Sequence, residues 1–157
     1  MSRATRATRA LEQAGIAFTI HSYDYDPGAA RIGLQAAEAL GEEPARVLKT
    51  LMLLVDGRPA CAILASDREL SMKRVAAVLG GKSAAMMPIA QAERISGYKV
   101  GGVSPFGQAR RVPVAFDEAA LAHARVYING GQRGLQVRLD PRDATALLGG
   151  VVAPIAT

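Results

Sequence analysis

The chain has no tryptophan, and only three phenylalanines and four tyrosines among its 157 residues. Aromatic side chains therefore cannot make the bulk of a core. Ala, Val, Leu, Ile and Met must do so, and half of all residues are hydrophobic, which excludes a disordered chain. So few aromatics also argue against a base-stacking platform for single-stranded nucleic acid. Cysteine occurs once, as Cys61, so no internal disulfide forms and a reducing cytoplasm is the expected compartment. The two histidines, His21 and His123, have no acidic partner at a telling spacing. With no G-x-S-x-G either, a Ser-His-Asp triad has no support. The same scarcity of His and Cys removes the usual metal clusters, and neither a metal nor a cofactor is expected. Asp24 and Asp26 read as a capped loop before a hard-cation site. The apolar runs, such as Leu51–Val55, fall far short of the roughly 20 residues that span a bilayer. The opening MSRATRATRALEQAG carries arginines with no apolar run behind them, which is not a secretory signal. No membrane partner is expected.

What the chain does have is an excess of positive charge. Nineteen basic residues face 14 acidic ones, giving +5 and a pI near 9.8. Such a balance suits a polyanionic partner or, equally, a solvated basic surface. Arg3, Arg6 and Arg9, spaced by three, share a broad face of a helix expected over residues 3–14 and stopped at Gly15.

Strands and helices interleave along the rest. Residues 16–23 read as a strand, and Leu34–Leu40 as a helix closed by Gly41. A short helical turn is expected from Pro44. Lys49–Val55 and Pro59–Ala65 are apolar runs joined by Asp56-Gly57, a strong hairpin signal. Ser71 caps a helix through Leu79, and Pro88 opens another through Ile95. Residues 112–116 and 125–129 read as strands, with a short helix over Glu118–Ala122 between them. Leu135, Val137 and Leu139 alternate as in a half-buried strand. A last helix starts at Pro141 and continues through Asp143–Leu148. A hairpin among interleaved elements excludes a purely parallel sheet. The expected fold is α+β, with a mixed, curved, partly barrel-like sheet flanked by short helices. At this length it forms one domain over residues 1–157, since domains cluster near roughly 100–150 residues.

Four places bear on chemistry. Cys61, inside PACAILA on an expected buried strand, reads as structural. Lys49 opens the apolar run KTLMLLV, where a lysine is costly to desolvate unless it has a role or a partner. Its ammonium either snorkels to the surface or works in a site. Gly101-Gly102 in VGGVSPFG allows positive φ and close approach of a ligand to backbone N–H groups. It is either a turn or an oxygen-binding loop. NGGQRG at 129–134 joins two strands as a turn, with Arg133 placed to meet a phosphate.

The segments HSYDYDPGA, GLQAAEALG, ARVLKTL, SGYKVGGVSPFG and YINGGQRGL, in this order, cover essentially the whole chain. Together they resemble the YbaK family of trans-editing deacylases, which is related to the editing domain of prolyl-tRNA synthetase. The resemblance implies hydrolysis of mischarged tRNA(Pro), Cys-tRNA(Pro) most typically, with prolyl-tRNA synthetase as a further partner. It implies that Lys49 is essential and that Gly101 and Gly102 belong to the substrate loop running to Gly107. Tyr23, Asn129 and Gly130 would line the substrate pocket. Two positions depart from the family pattern: Asn129 stands where serine is common, and Ile32 where an aromatic is common. Both bear on which aminoacyl group fits. Arg110, Arg111 and Arg133, with Arg3, Arg6 and Arg9, are the candidate tRNA phosphate contacts.

The residues themselves suggest no activated protein nucleophile. The glycine-loop N–H groups are expected to hold the ester carbonyl, with Lys49 positioning or stabilising the substrate. Other readings are an Ala-tRNA(Pro) deacylase, a non-catalytic nucleotide- or acyl-binding module, and a plain interaction domain.

Overall fold

The computed structural model describes residues 4–28 and 32–157. Expectations for Arg3 and for the side chain of Ile32 lie outside the described residues.

The first helix, α1, runs Arg6–Gln13, because Thr5 forms a reciprocal cap with Thr8. The Thr5 side chain accepts from the Thr8 N–H at 3.1 Å, and the Thr8 hydroxyl oxygen accepts from the Thr5 N–H at 2.8 Å. The start expected at residue 3 is thus moved inward by the cap. Ala7 and Leu11 bury the inner face of this helix completely.

Strand β1 (Phe18–Ser22) leads to helix α2 (Ile32–Leu40) and a 3₁₀ turn over Pro44–Arg46. Strands β2 (Leu48–Val55) and β3 (Arg58–Ala65) form the expected hairpin, with Asp56 and Gly57 both at positive φ. Helix α3 (Met72–Val78), strand β4 (Ala84–Met86) and helix α4 (Ile89–Ser96) follow. The remaining elements are β5 (Val114–Asp117), a 3₁₀ turn over Glu118–Ala122, β6 (Val126–Asn129), β7 (Leu135–Leu139), α5 (Pro141–Leu148) and β8 (Val151–Ala153).

The fold is α+β with mixed strand directions, as expected. Its strands make two sheets that do not close into a barrel. One is antiparallel, in the order β1-β7-β6; the other runs β4-β2-β3-β5-β8, with β5 and β8 added in parallel. A bridge between Val47 and Tyr127 links the two. Most of the core fills the space between the sheets, with Met52, Ile63 and Phe116 from one and Ile128, Val137 and Leu139 from the other. The opposite face of the larger sheet packs Leu53, Ala62 and Ala115 against Val75 of α3.

Two of these strands, β4 and β8, were not expected. Each has three residues and lies at a sheet edge, so it is defined by its neighbour's ladder more than by its own pattern. The alternation at 135–139 also misleads. Gln136, which should face water, is only 4% exposed. Helix α2 covers that side of the smaller sheet, packing Ala36 and Ala37 against Tyr127 and Val47.

One consequence of this topology sets up the site. Strand β4 pairs with β2 only along Leu53–Val55. The first half of β2 therefore has an open flank. Helix α2, the start of α4, the 100–103 segment and the end of the smaller sheet gather around it.

Candidate functional site

The open flank of β2 forms one wall of a cavity of about 360 Å³. That volume suits a small ligand, since ligand pockets run roughly 300–1,000 Å³. The other walls come from Tyr23 and Ala36, from Met87 and Ala92, from Gly101 and Val103, and from Asn129 and Gln136. Most of this lining is apolar. Met86, Ile89 and Val100, three of the exposed large hydrophobic residues, also line it.

Lys49 sits in this wall, opposite Leu64 on β3, and is half-buried. Burial pulls its pKa below the ordinary lysine value, and the fields of Glu69 and then Asp67 partly restore it. No described carboxylate lies within ion-pair distance of it. A partly desolvated cation with no described carboxylate in ion-pair distance can take up an outside charge or dipole.

The glycine segment divides into parts with different jobs. Lys99 to Gly102 is a β-turn closed by the Gly102 N–H donating to the Lys99 carbonyl at 2.8 Å. Gly101 holds its third position at φ +88, where a type II turn needs glycine. The Val100 N–H donates to Glu93 Oε2 at 2.9 Å. The N–H groups of Gly101 and Val103 have no partner among the described residues, and both residues line the cavity. The expectation for Gly102 is corrected here. Its N–H is committed to the turn, and its Cα packs so tightly on Gln132 and Arg133 that a Cβ would come within 2.7 Å of the Arg133 nitrogen. Gly102 is packing, and Val103 carries the second N–H with no partner among the described residues.

Asn129 lines the cavity and ties two loops together. Its Nδ2 donates to the Gly101 carbonyl at 3.3 Å, and its Oδ1 accepts from the Gly131 N–H at 2.7 Å. Gly130 does not reach the cavity. Its N–H donates to the Leu135 carbonyl, and its own carbonyl accepts from the Thr5 hydroxyl, so its place is the hairpin turn. Tyr23 lines the cavity, and burial raises its phenol pKa, an effect that the nearby Gln136 side chain partly offsets. Thr50 Oγ1 and Gln136 Oε1, both on lining residues, are buried with no hydrogen-bond partner among the described residues. Sequence patterning gave no signal for Gln136, because its strand reads as one that turns this position outward.

The arginines separate. Arg133 sits beside the glycine turn: its Nε donates to the Val100 carbonyl at 2.8 Å, and its guanidinium lies 5.5 Å from the Tyr25 ring centre. Arg110 and Arg111 are exposed and do not line the Lys49 cavity. Arg111 lines a second cavity of about 230 Å³ beside Phe106 and Leu147. The Arg6 guanidinium lies by Gly97 at the C-terminal end of α4, where a cation suits the helix dipole. Cys61 is fully buried and its thiol is pushed up to about 12, so it takes no part. Among the described residues, no three His, Cys, Asp or Glu side chains come together. Likewise, no helix among them is long and apolar enough to cross a membrane.

Lys49 and two residues whose N–H groups have no partner among the described residues thus line one apolar cavity, an arrangement that suits a small ligand carrying a carbonyl or an anionic oxygen. Comparison with known proteins names the class. The family model described as "Aminoacyl-tRNA editing domain" matches residues 26–147. The chain is 30% identical over 155 residues to "Putative Cys-tRNA(Pro)/Cys-tRNA(Cys) deacylase EbsC" of Enterococcus faecalis, covering 98% of this chain and 93% of that one. It is also 30% identical over 100 residues to a proline–tRNA ligase of Maridesulfovibrio salexigens, 64% of this chain but 17% of the ligase. The crystal structure of "a putative trans-editing enzyme for prolyl tRNA synthetase" shares the fold, with a TM-score of 0.86 over 100% of this chain and 98% of that one at 24% identity. The chain belongs to the aminoacyl-tRNA editing domain family, and it is an aminoacyl-tRNA deacylase.

Proposed function

We propose that the protein hydrolyses mischarged tRNA(Pro), Cys-tRNA(Pro) foremost, as a free-standing trans-editing factor of the cytoplasm. The observation that carries this reading is the one cavity lined by Lys49 and by Gly101 and Val103, whose N–H groups have no partner among the described residues. The name of the E. faecalis relative supports the cysteine substrate. Similarity to a proline–tRNA ligase supports that synthetase as a partner that hands over the tRNA.

In this mechanism the ester carbonyl oxygen docks against the Gly101 and Val103 N–H groups. These strengthen their hold as negative charge develops on that oxygen; one such donor is worth about 10²–10³ in rate. Lys49 supplies positive charge beside the reacting ester and holds the substrate in place. It is not a nucleophile. For a cysteinyl ester, the substrate's own thiol attacks the carbonyl carbon: a C–S bond forms, the C–O bond to the ribose breaks, and the ribose oxygen takes the thiol proton. Water then opens the thiolactone to free cysteine. Intramolecular delivery favours this route over direct attack by water. The exposed Arg110 and Arg111 meet tRNA phosphates, and binding weakens as salt rises.

The test is deacylation of Cys-, Ala- and Pro-tRNA(Pro), each measured against its spontaneous rate. Cys-tRNA(Pro) is cleaved fastest on this account. Faster cleavage of Ala-tRNA(Pro) overturns the substrate assignment, and cleavage of none overturns the mechanism. Ser-tRNA(Pro) cleaved as fast as Cys-tRNA(Pro) removes the role of the thiol.

A further inference from the structure

We propose that Arg133 is a positioning residue that aims the Gly101 N–H into the cavity, rather than a ligand for tRNA phosphate. The inference rests on the reading above, in which the ester carbonyl docks at Gly101.

Arg133 Nε donates to the Val100 carbonyl at 2.8 Å. The Val100–Gly101 peptide is planar and trans, so its C=O and N–H point in opposite directions. Holding the carbonyl therefore fixes the direction of the Gly101 N–H, which has no partner among the described residues. A cationic donor on that carbonyl also polarises the whole amide and makes its N–H the stronger donor.

The guanidinium is itself held. It stacks on Tyr25 at 5.5 Å, and the phenol end of the same Tyr25 packs directly on Gly101. The Arg133 backbone nitrogen backs Gly102, and Asn129 Nδ2 holds the Gly101 carbonyl. Both carbonyls flanking the Gly101 N–H are thus anchored by side chains from one segment, the end of β6 and the turn that follows it. No other exposed arginine described here makes such a contact to the glycine turn.

Arg133→Lys tests this, because it keeps the charge but loses the planar fork that fits Nε to the carbonyl. Three quantities are read on the whole protein: single-turnover kcat on Cys-tRNA(Pro), the Kd of uncharged tRNA(Pro) across a salt series, and the Gly101 amide peak in a ¹⁵N–¹H spectrum. The expected result is a kcat lowered by about tenfold or more, toward the roughly 10²–10³ of a lost oxyanion donor. The Gly101 peak moves, while Kd and its salt slope are unchanged. Tyr25→Leu, which unseats the guanidinium without touching its charge, moves kcat and the Gly101 peak in the same direction and serves if Arg133→Lys does not fold. Unchanged kcat in Arg133→Gln, with weaker Kd and a salt slope smaller by about one, makes Arg133 a phosphate ligand and overturns the proposal. A Gly101 peak that stays in place in both Arg133→Lys and Tyr25→Leu overturns it as well. Wild-type protein that cleaves no aminoacyl-tRNA sinks the functional reading instead, and the Gly101 peak still reports on the positioning.

Discussion

Gly101→Ala is the substitution whose cost the structure defines most closely. Gly101 sits at φ +88, a conformation that costs an alanine about 1–2 kcal/mol. The added Cβ also runs into Tyr25, clashing with its hydroxyl oxygen and coming within 2.9 Å of Cζ and 3.1 Å of Cε1. The ring must move, and its stacking with Arg133 is lost, a further ~0.5–1 kcal/mol for an exposed cation–π contact. The sum is about 2 kcal/mol. In a chain of this size that lowers Tm by roughly 4–8 °C, at about 2–4 °C per kcal/mol. Relieving the strain means rotating the very peptide whose N–H is the free donor. Activity should therefore fall further than stability does, by up to about 10²–10³ in kcat if the donor is lost. The assay pairs thermal melts with single-turnover deacylation, for Gly101→Ala alone and with Tyr25→Ala. The second change removes the clash but leaves the φ strain, so the pair should couple in stability while activity stays low. A Gly101→Ala protein that melts lower yet deacylates at the wild-type rate would refute the role given to this turn.

Other consequences follow from single groups. Burial lowers the Lys49 pKa, so its charge, and the deacylation that depends on it, is lost at a lower pH than for an ordinary lysine. Rates corrected for spontaneous hydrolysis should fall on that alkaline limb in the wild type, and the fall should vanish in any active Lys49→Arg protein. The buried, unpartnered Thr50 Oγ1 costs stability, so Thr50→Val should raise Tm while leaving the fold unchanged. A lower Tm would mean that the hydroxyl has a partner. The Tyr98 hydroxyl donates to the Phe106 carbonyl at 2.5 Å inside the core, and burial pushes its pKa up to about 12. Tyr98→Phe should cost about 1–3 kcal/mol, read as a drop in Tm, because the buried carbonyl loses its donor.

Much of this fold is legible in the sequence because local chemistry and tertiary context agree. Asp56-Gly57 has the residues that a two-residue hairpin demands, and Gly97 and Gly149 stop α4 and α5 in left-handed conformations. Where context decides, the sequence misleads. Gln136 alternates as a water-facing residue, yet α2 covers it and makes it part of the cavity. The site behaves the same way. Lys49 stands out as a charge in an apolar strand, and Gly101 as a residue free to take positive φ. The separate fates of Gly101 and Gly102 depend on which N–H closes the turn, and two adjacent glycines look alike in sequence. Arg133 reads as a phosphate contact because its carbonyl partner, Val100, lies 33 residues away along the chain.

Lys49 lies half-buried in the cavity wall, with no described carboxylate in ion-pair distance, and is the residue on which the proposed chemistry most depends. The deciding measurement is single-turnover deacylation of Cys-tRNA(Pro) by wild type and Lys49→Ala, with a thermal melt of each. The predicted result is hydrolysis reduced to the spontaneous rate in Lys49→Ala, with Tm held or raised because a partly desolvated charge has been removed. Near-wild-type turnover by a folded Lys49→Ala protein would contradict it.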